Sequence, residues 1–251
     1  MTAQPLNATE VDQIMSALPD RRVGTEQEYK WLIDPVEVFG TDTPGLPEAL
    51  SLPIPEDVTA ETPFTHTQSS IYFDDRWQLA ANDLAVKLLI NYGAYRNLSW
   101  ICVKQTVAWV GGCRDCLEIS ERVDVRDVNR VMAERTTIPL AYAARLVPGA
   151  SNLTPYATAV QLRHKVPLRT RYGTVFQLSL DLVTTRSLAD GARATSTWIE
   201  IETSGSDLPS RKALDDWAEL LGDRLPGPPY EMSKPVRAAR QAGWLPAGTP
   251  A

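Results

Sequence analysis

Histidine and cysteine are scarce in this chain, two and three among 251 residues, and no apolar run approaches the roughly 20 residues that a membrane helix needs. The cysteines, Cys102, Cys113 and Cys116, are an odd number in a chain too large to depend on covalent staples, which suits a reducing compartment. Cys113 and Cys116 have the spacing of half a zinc or redox site, but no second pair answers them, so they read as ordinary thiols. His66 and His164 lack spaced partners and read as surface or structural residues. A basic excess is also missing: the formal net charge is −6, which excludes a nucleic-acid-binding surface held by general electrostatics. The first residues do not have the basic, apolar and small-residue order of a secretory signal, so the expected compartment is the cytoplasm, with no membrane partner.

What is present is period-two patterning. The chain reads as one domain over its 251 residues. A short amphipathic helix is expected at Asn7 to Leu18, with Asn7 and Glu10 at capping-box spacing. A strand follows from Val23 to Ile33, ended by Asp34-Pro35. Between Pro35 and Gln68 the proline-rich, acidic composition predicts a long loop or lid, with one helical turn near Glu48. Strands are expected at Ser70 to Phe73, Leu84 to Tyr92, Leu98 to Val107 and Cys116 to Val123, with turns at Asn97 and Gly111-Gly112. A helical stretch from Asp127 to Leu146 is divided by Pro139. Further strands run over Ala159 to Lys165, Leu168 to Arg171, Val175 to Val183 and Thr195 to Thr203. A helix over Leu208 to Leu221 stops at Gly222. This order implies an α+β fold, a closed antiparallel β-barrel or tunnel with flanking helices.

Side chains alternate faces along a strand, so Glu26, Glu28 and Lys30 project from one side while Gln27, Tyr29 and Trp31 project from the other. Glu200 and Glu202 repeat the pattern opposite Ile199 and Ile201. Lys87, Lys104, Arg169 and Arg171 also stand at strand positions, and Asp181 ends the alternation of Phe176, Leu178 and Leu180. Arg163 and Lys165 share a face with Arg169 only if the strand runs on past Pro167. Charges on strand after strand either all face water or all face one another inside a wide barrel.

These residues resemble, in order, the motifs of the CYTH, or triphosphate tunnel metalloenzyme, superfamily. Glu26-Gln27-Glu28-Tyr29-Lys30 is similar to its E-x-E-x-K signature, and Ser70-Ile71-Tyr72-Phe73-Asp74 to its Y-[YF]-D-T strand. Leu84-Ala85-Val86-Lys87 stands in place of A-L-R-x-R. The resemblance continues through Trp100 to Lys104, Arg169-Thr170-Arg171, Leu178 to Asp181 and Ile199 to Glu202, and covers about Thr25 to Arg237. Ser233-Lys234 is similar to the S-K of the polyphosphate-polymerase branch. Two positions depart from the pattern: Leu89 replaces the second arginine of R-x-R, and Ser120 follows Glu118 where a second acidic residue is usual.

The resemblance implies a phosphate chain bound in the tunnel with a divalent metal, Mg²⁺ or Mn²⁺. Enclosing several negative charges demands fixed cations, for which Lys30, Lys87, Lys104, Arg169, Arg171 and Lys234 are the candidates. Carboxylates among them would repel the chain unless they hold hard cations. Glu26, Glu28, Glu200 and Glu202 are the candidate metal ligands, with Asp181 and Glu118 as further ones. Glu28, Lys30, Lys104 and Arg169 are the candidate catalytic residues. Three activities remain open: hydrolysis of inorganic or organic triphosphate, polyphosphate synthesis from a nucleoside triphosphate, suggested by Ser233-Lys234, and binding of polyphosphate or nucleotide without turnover, suggested by Leu89 and Ser120.

Overall fold

A computed structural model describes residues 20–91, 98–204 and 207–241. Its strands are β1 (Arg21–Ile33), β2 (Val58–Ala60), β3 (Phe64–Asp74), β4 (Leu84–Asn91), β5 (Leu98–Val110), β6 (Cys113–Asp124), β7 (Thr154–Thr170), β8 (Val175–Ser187) and β9 (Arg193–Thr203). The helices of the described residues are α1 (Pro35–Phe39), α2 (Leu46–Leu50), α3 (Val128–Glu134), α4 (Ile138–Leu146), α5 (Leu208–Gly222) and α6 (Lys234–Gln241). All strand pairings are antiparallel, in the order β2-β7-β3-β4-β5-β6-β1-β9-β8, and β8 pairs back onto β7. Every strand except β2 therefore belongs to a closed ring, and β2 is a short addition to the end of β7. The α+β tunnel is the observed architecture.

The main apolar cores lie outside this ring. Glu28, Tyr29, Lys30 and Trp31 are all buried, so neither face of β1 there meets open water. The outward residues Tyr29, Trp31 and Ile33 pack with Leu178, Leu180, Ile199 and Ile201 against Trp217 and Leu221 of α5 and Ala49 of α2. On another side of the ring Val86, Leu88, Ile101 and Val103 pack against Val131 of α3 and Leu140 of α4. Each fully buried Leu, Ile or Val contributes about 1.5–3 kcal/mol. Because the helices bury the outer faces, the inner face is left for polar chemistry. Inside the ring, Tyr72, Ala159, Val183 and Trp198 form a smaller apolar cluster, with Tyr230 packed against it.

Three segments differ from expectation. The proline-rich stretch at 35–68 is not one loop: it holds α1, α2, β2 and the start of β3. Asp34 caps α1 by accepting from the Val36 N–H, and Pro35 occupies the first turn, where no N–H is required. Proline composition thus concealed helix starts. The second difference is β7, which runs unbroken through Pro167. Its pairing with β3 ends at Lys165 and that with β2 begins at Leu168, so the missing N–H falls in the gap between two partners.

Third, β6 begins at Cys113, with Gly111 and Gly112 forming a two-residue turn between the paired Val110 and Cys113. Their φ angles of 59° and 82° are left-handed, which favours glycine at both positions. The expected helix at 127–146 divides into α3 and α4 at a left-handed Arg135, with Pro139 in the first turn of α4. The expected helix at Asn7 to Leu18 and the turn at Asn97 lie outside the described residues.

Candidate metal and phosphate site

The ring encloses a cavity of about 380 Å³, lined by inward residues of every ring strand, with Gln177 from β8. Register explains the clustering. Glu28 lies opposite Glu202 on β9 and opposite Arg114 on β6, while Lys30 lies opposite Glu200. Directly opposed carboxylates repel, so this arrangement requires cations beside them.

Glu28 is the hub. Its Oε1 accepts from Lys30 Nζ at 2.7 Å and from Arg114 Nη1 at 2.9 Å, and its Oε2 accepts from Lys104 Nζ at 3.0 Å. Lys104 also pairs with Glu26 at 2.6 Å. Burial disfavours charge on Glu28, but Lys104, Lys30 and Arg114 hold its carboxyl well below the usual carboxylate range. A second network forms where β8, β7 and α6 meet. Arg163 donates to Asp181 at 2.8 Å, and Lys234 Nζ reaches Asp181 at 2.5 Å and Glu200 at 2.6 Å. Lys234 is delivered by the chain after α5, where the Tyr230 N–H donates to the Lys30 carbonyl at 2.7 Å and Tyr230 packs edge-on against Trp198.

Oxygens of Glu28, Glu200 and Glu202 lie within 4.8 Å of one another, as do ligand atoms of Glu26, Glu28 and Cys116. Burial, then Glu26, push the Glu202 carboxyl up to about 8. The all-oxygen set Glu28, Glu200 and Glu202 fits Mg²⁺ or Mn²⁺, hard cations that choose oxygen ligands. Burial with the adjacent Arg163 draws the Lys165 ammonium down to about 8, against Glu202. Lys165 and Lys87 both line the cavity, and neither has an ion pair among the described residues.

Of the candidate residues, Glu26, Glu28, Lys30, Lys87, Lys104, Glu118, Glu200, Glu202 and Lys234 line one cavity. Glu118 sits near Lys87 and Lys104 and belongs to neither group of three converging ligands. Asp181 is fully enclosed, with one oxygen on Arg163 and the other on Lys234, so it holds cations in place. Arg169 and Arg171 are corrections. Both lie beyond the cavity, Arg169 paired with Glu61 at the surface and Arg171 over the Tyr172 ring in the turn after β7. The inward arginine and lysine of β7 are instead Arg163 and Lys165, two residues apart and in register with the site. Sequence reasoning also missed Arg22 and Arg114, because β1 and β6 each start earlier than the apolar pattern indicates. His66, read as a loop residue, is on β3 and lines the cavity.

A solved structure shares this architecture. A Hippeastrum protein named for adenylyl cyclase and reported to have a dominant triphosphatase activity is 18% identical, with a TM-score of 0.50, and the match covers 88% of this chain and 98% of that one. The tunnel fold implied by the CYTH resemblance is therefore shown. At that identity the likeness is one of fold. A Bacillus halodurans protein named for adenylate cyclase is 16% identical over 87% of this chain and 98% of that one, with a TM-score of 0.48. The Pct1 RNA triphosphatase of S. pombe is 13% identical over 89% of this chain and 94% of that one, with a TM-score of 0.34. No protein-family model and no curated protein matches the sequence.

Proposed function

We propose that this chain is a divalent-metal-dependent phosphohydrolase acting on inorganic triphosphate or an organic triphosphate inside the tunnel. The observation that carries this reading is one cavity holding both the converging carboxylates Glu28, Glu200 and Glu202 and the unpaired ammonium groups of Lys87 and Lys165. An anion chain would explain the cations, and a divalent cation held by the carboxylates would explain the acids. Glu28, Glu200 and Glu202 would hold the ion, with Glu26 beside them. When bound, such an ion polarises a phosphoryl oxygen and offsets the charge of the chain.

The protein's own groups then have separable tasks. Lys87 and Lys165 bind phosphate oxygens directly. Lys30, Lys104 and Arg114, now shared with Glu28, stand where charge on the transferring phosphoryl group must be stabilised. Asp181 fixes Arg163 and Lys234 against movement. A second reading, a binder without turnover, is favoured by Leu89, which lines the cavity with an apolar side chain. Phosphate release from tripolyphosphate, ATP and longer polyphosphate, each with Mg²⁺ and with Mn²⁺, separates the two. The hydrolase reading predicts release that chelation abolishes; binding without release from any of the three sinks it in favour of the binder.

A further inference from the structure

His66 occupies a position that the charge network does not use. Its ring lines the cavity from β3, and its Nδ1 is buried without a hydrogen-bond partner. Phe64, two residues earlier on the same face, stacks on the ring at 5.7 Å and 28°, which fixes its plane. Gln68, two residues later on the same strand face, also lines the cavity. The amide nitrogen of Gln68 donates to Gln161 at 3.2 Å, which leaves its carbonyl oxygen as the acceptor it can offer a neighbouring group. In the tautomer protonated at Nε2, the neutral ring presents a bare lone pair at Nδ1. A phosphate oxygen also presents lone pairs, and the two repel unless a proton lies between them.

Resting on the polyphosphate reading above, we infer that His66 is a proton-dependent phosphate contact: the ring takes one proton from solvent at Nδ1 as the chain enters and donates it in a hydrogen bond to a phosphate oxygen. The charged groups facing the ring agree with this. Arg163, its register partner, and Lys165 come from β7 and oppose protonation, whereas Asp181 on β8 favours it. With the tunnel empty, burial together with Lys165 and Arg163 holds the ring neutral, down to about 3. A polyanion between these cations and the ring offsets their repulsion and supplies an acceptor. His164 is the internal contrast: it points away from the cavity, and its Nδ1 is bonded to Thr65 Oγ1 at 2.8 Å.

The chain has two histidines, so its imidazole nitrogen spectrum is readable directly. The full chain, labelled with ¹⁵N-histidine, is titrated with tripolyphosphate and Mg²⁺ near pH 6. Assignment uses His66→Gln, or His164→Gln should the first variant fail to fold. The expected result is that His66 Nδ1 moves from the unprotonated to the protonated range while His164 is unchanged. Calorimetry between pH 5 and 7 is expected to show affinity that rises as pH falls, by about tenfold per pH unit at most for one linked proton. His66→Phe keeps the stacking ring and loses that part of the slope; comparing it with the unsubstituted chain cancels protonation of the ligand itself. Calorimetric binding with the His66 resonances unmoved overturns the inference and leaves the polyphosphate reading standing. Absence of any tripolyphosphate binding overturns both.

Discussion

At the scale of single residues, the placement of Glu28 changes what its removal does. The strand pattern alone suggests a ligand in a wet cavity, whose loss spares folding. In the structure Glu28 is 2% exposed and is the acceptor for three cations, the buried Lys30 and Arg114 and the half-buried Lys104. Glu28→Gln leaves Lys30 and Arg114 without their counter-charge and Lys104 with Glu26 alone, and removing one partner of a buried ionic group costs about 3–5 kcal/mol. Urea denaturation should show a loss of that order together with weakened metal binding; unchanged stability would mean that the network relaxes into water. Leu89 makes the opposite prediction. It lines the cavity between Ser70 and Trp100 in register, with open space before it. Leu89→Arg should therefore fold and tighten tripolyphosphate binding by about 1.5–3 kcal/mol at most, measured by calorimetry. Looser binding by a folded variant would place the phosphate chain away from β4.

At the scale of elements, the inward face of β1 and β9 was legible because charged residues alternate with uncharged ones through Glu26 to Lys30 and with isoleucines through Ile199 to Glu202. Strand ends were not legible. Arg114 lies beyond a cysteine that reads as part of a turn, and Arg22 lies before the first apolar residue of β1, so neither belonged to an apolar pattern. On β7 the failure has a physical cause. Pro167 suggested a break, which left the register of Arg163 and Lys165 undefined and Arg169 and Arg171, past the end of the cavity, as the basic pair of that strand. The pairing gap at Pro167 lets the strand continue and puts Arg163 and Lys165 at the site. Arg169→Ala should accordingly leave ligand affinity unchanged. It removes an ion pair to Glu61 that is about half exposed, worth about 0–1 kcal/mol. A tenfold loss of tripolyphosphate affinity in that variant would return Arg169 to the binding surface.

At the scale of the whole molecule, the fold puts its main apolar cores outside the ring and its ionic groups inside, so acid should attack it from within. Burial opposes ionisation of Glu200, but Lys234 and Arg163 bring its carboxyl down to about 2, from an ordinary value of 4.5. A depressed carboxyl contributes stability that is present above 4.5 and is lost as pH falls through 2. Lys234→Met should narrow that window, which denaturation midpoints between those pH values test; an identical acid profile would dissociate Lys234 from Glu200 in solution. The central claim is that metal and phosphate chain meet inside this ring. The most direct measurement is a crystal structure of the full chain with Mn²⁺ and tripolyphosphate, with the ion located by its anomalous scattering. The account predicts a manganese peak among Glu28, Glu200 and Glu202, with phosphates extending toward Lys87 and Lys165. Manganese and phosphate bound only on the outer surface, with Glu28 still holding Lys30, Lys104 and Arg114, would contradict it.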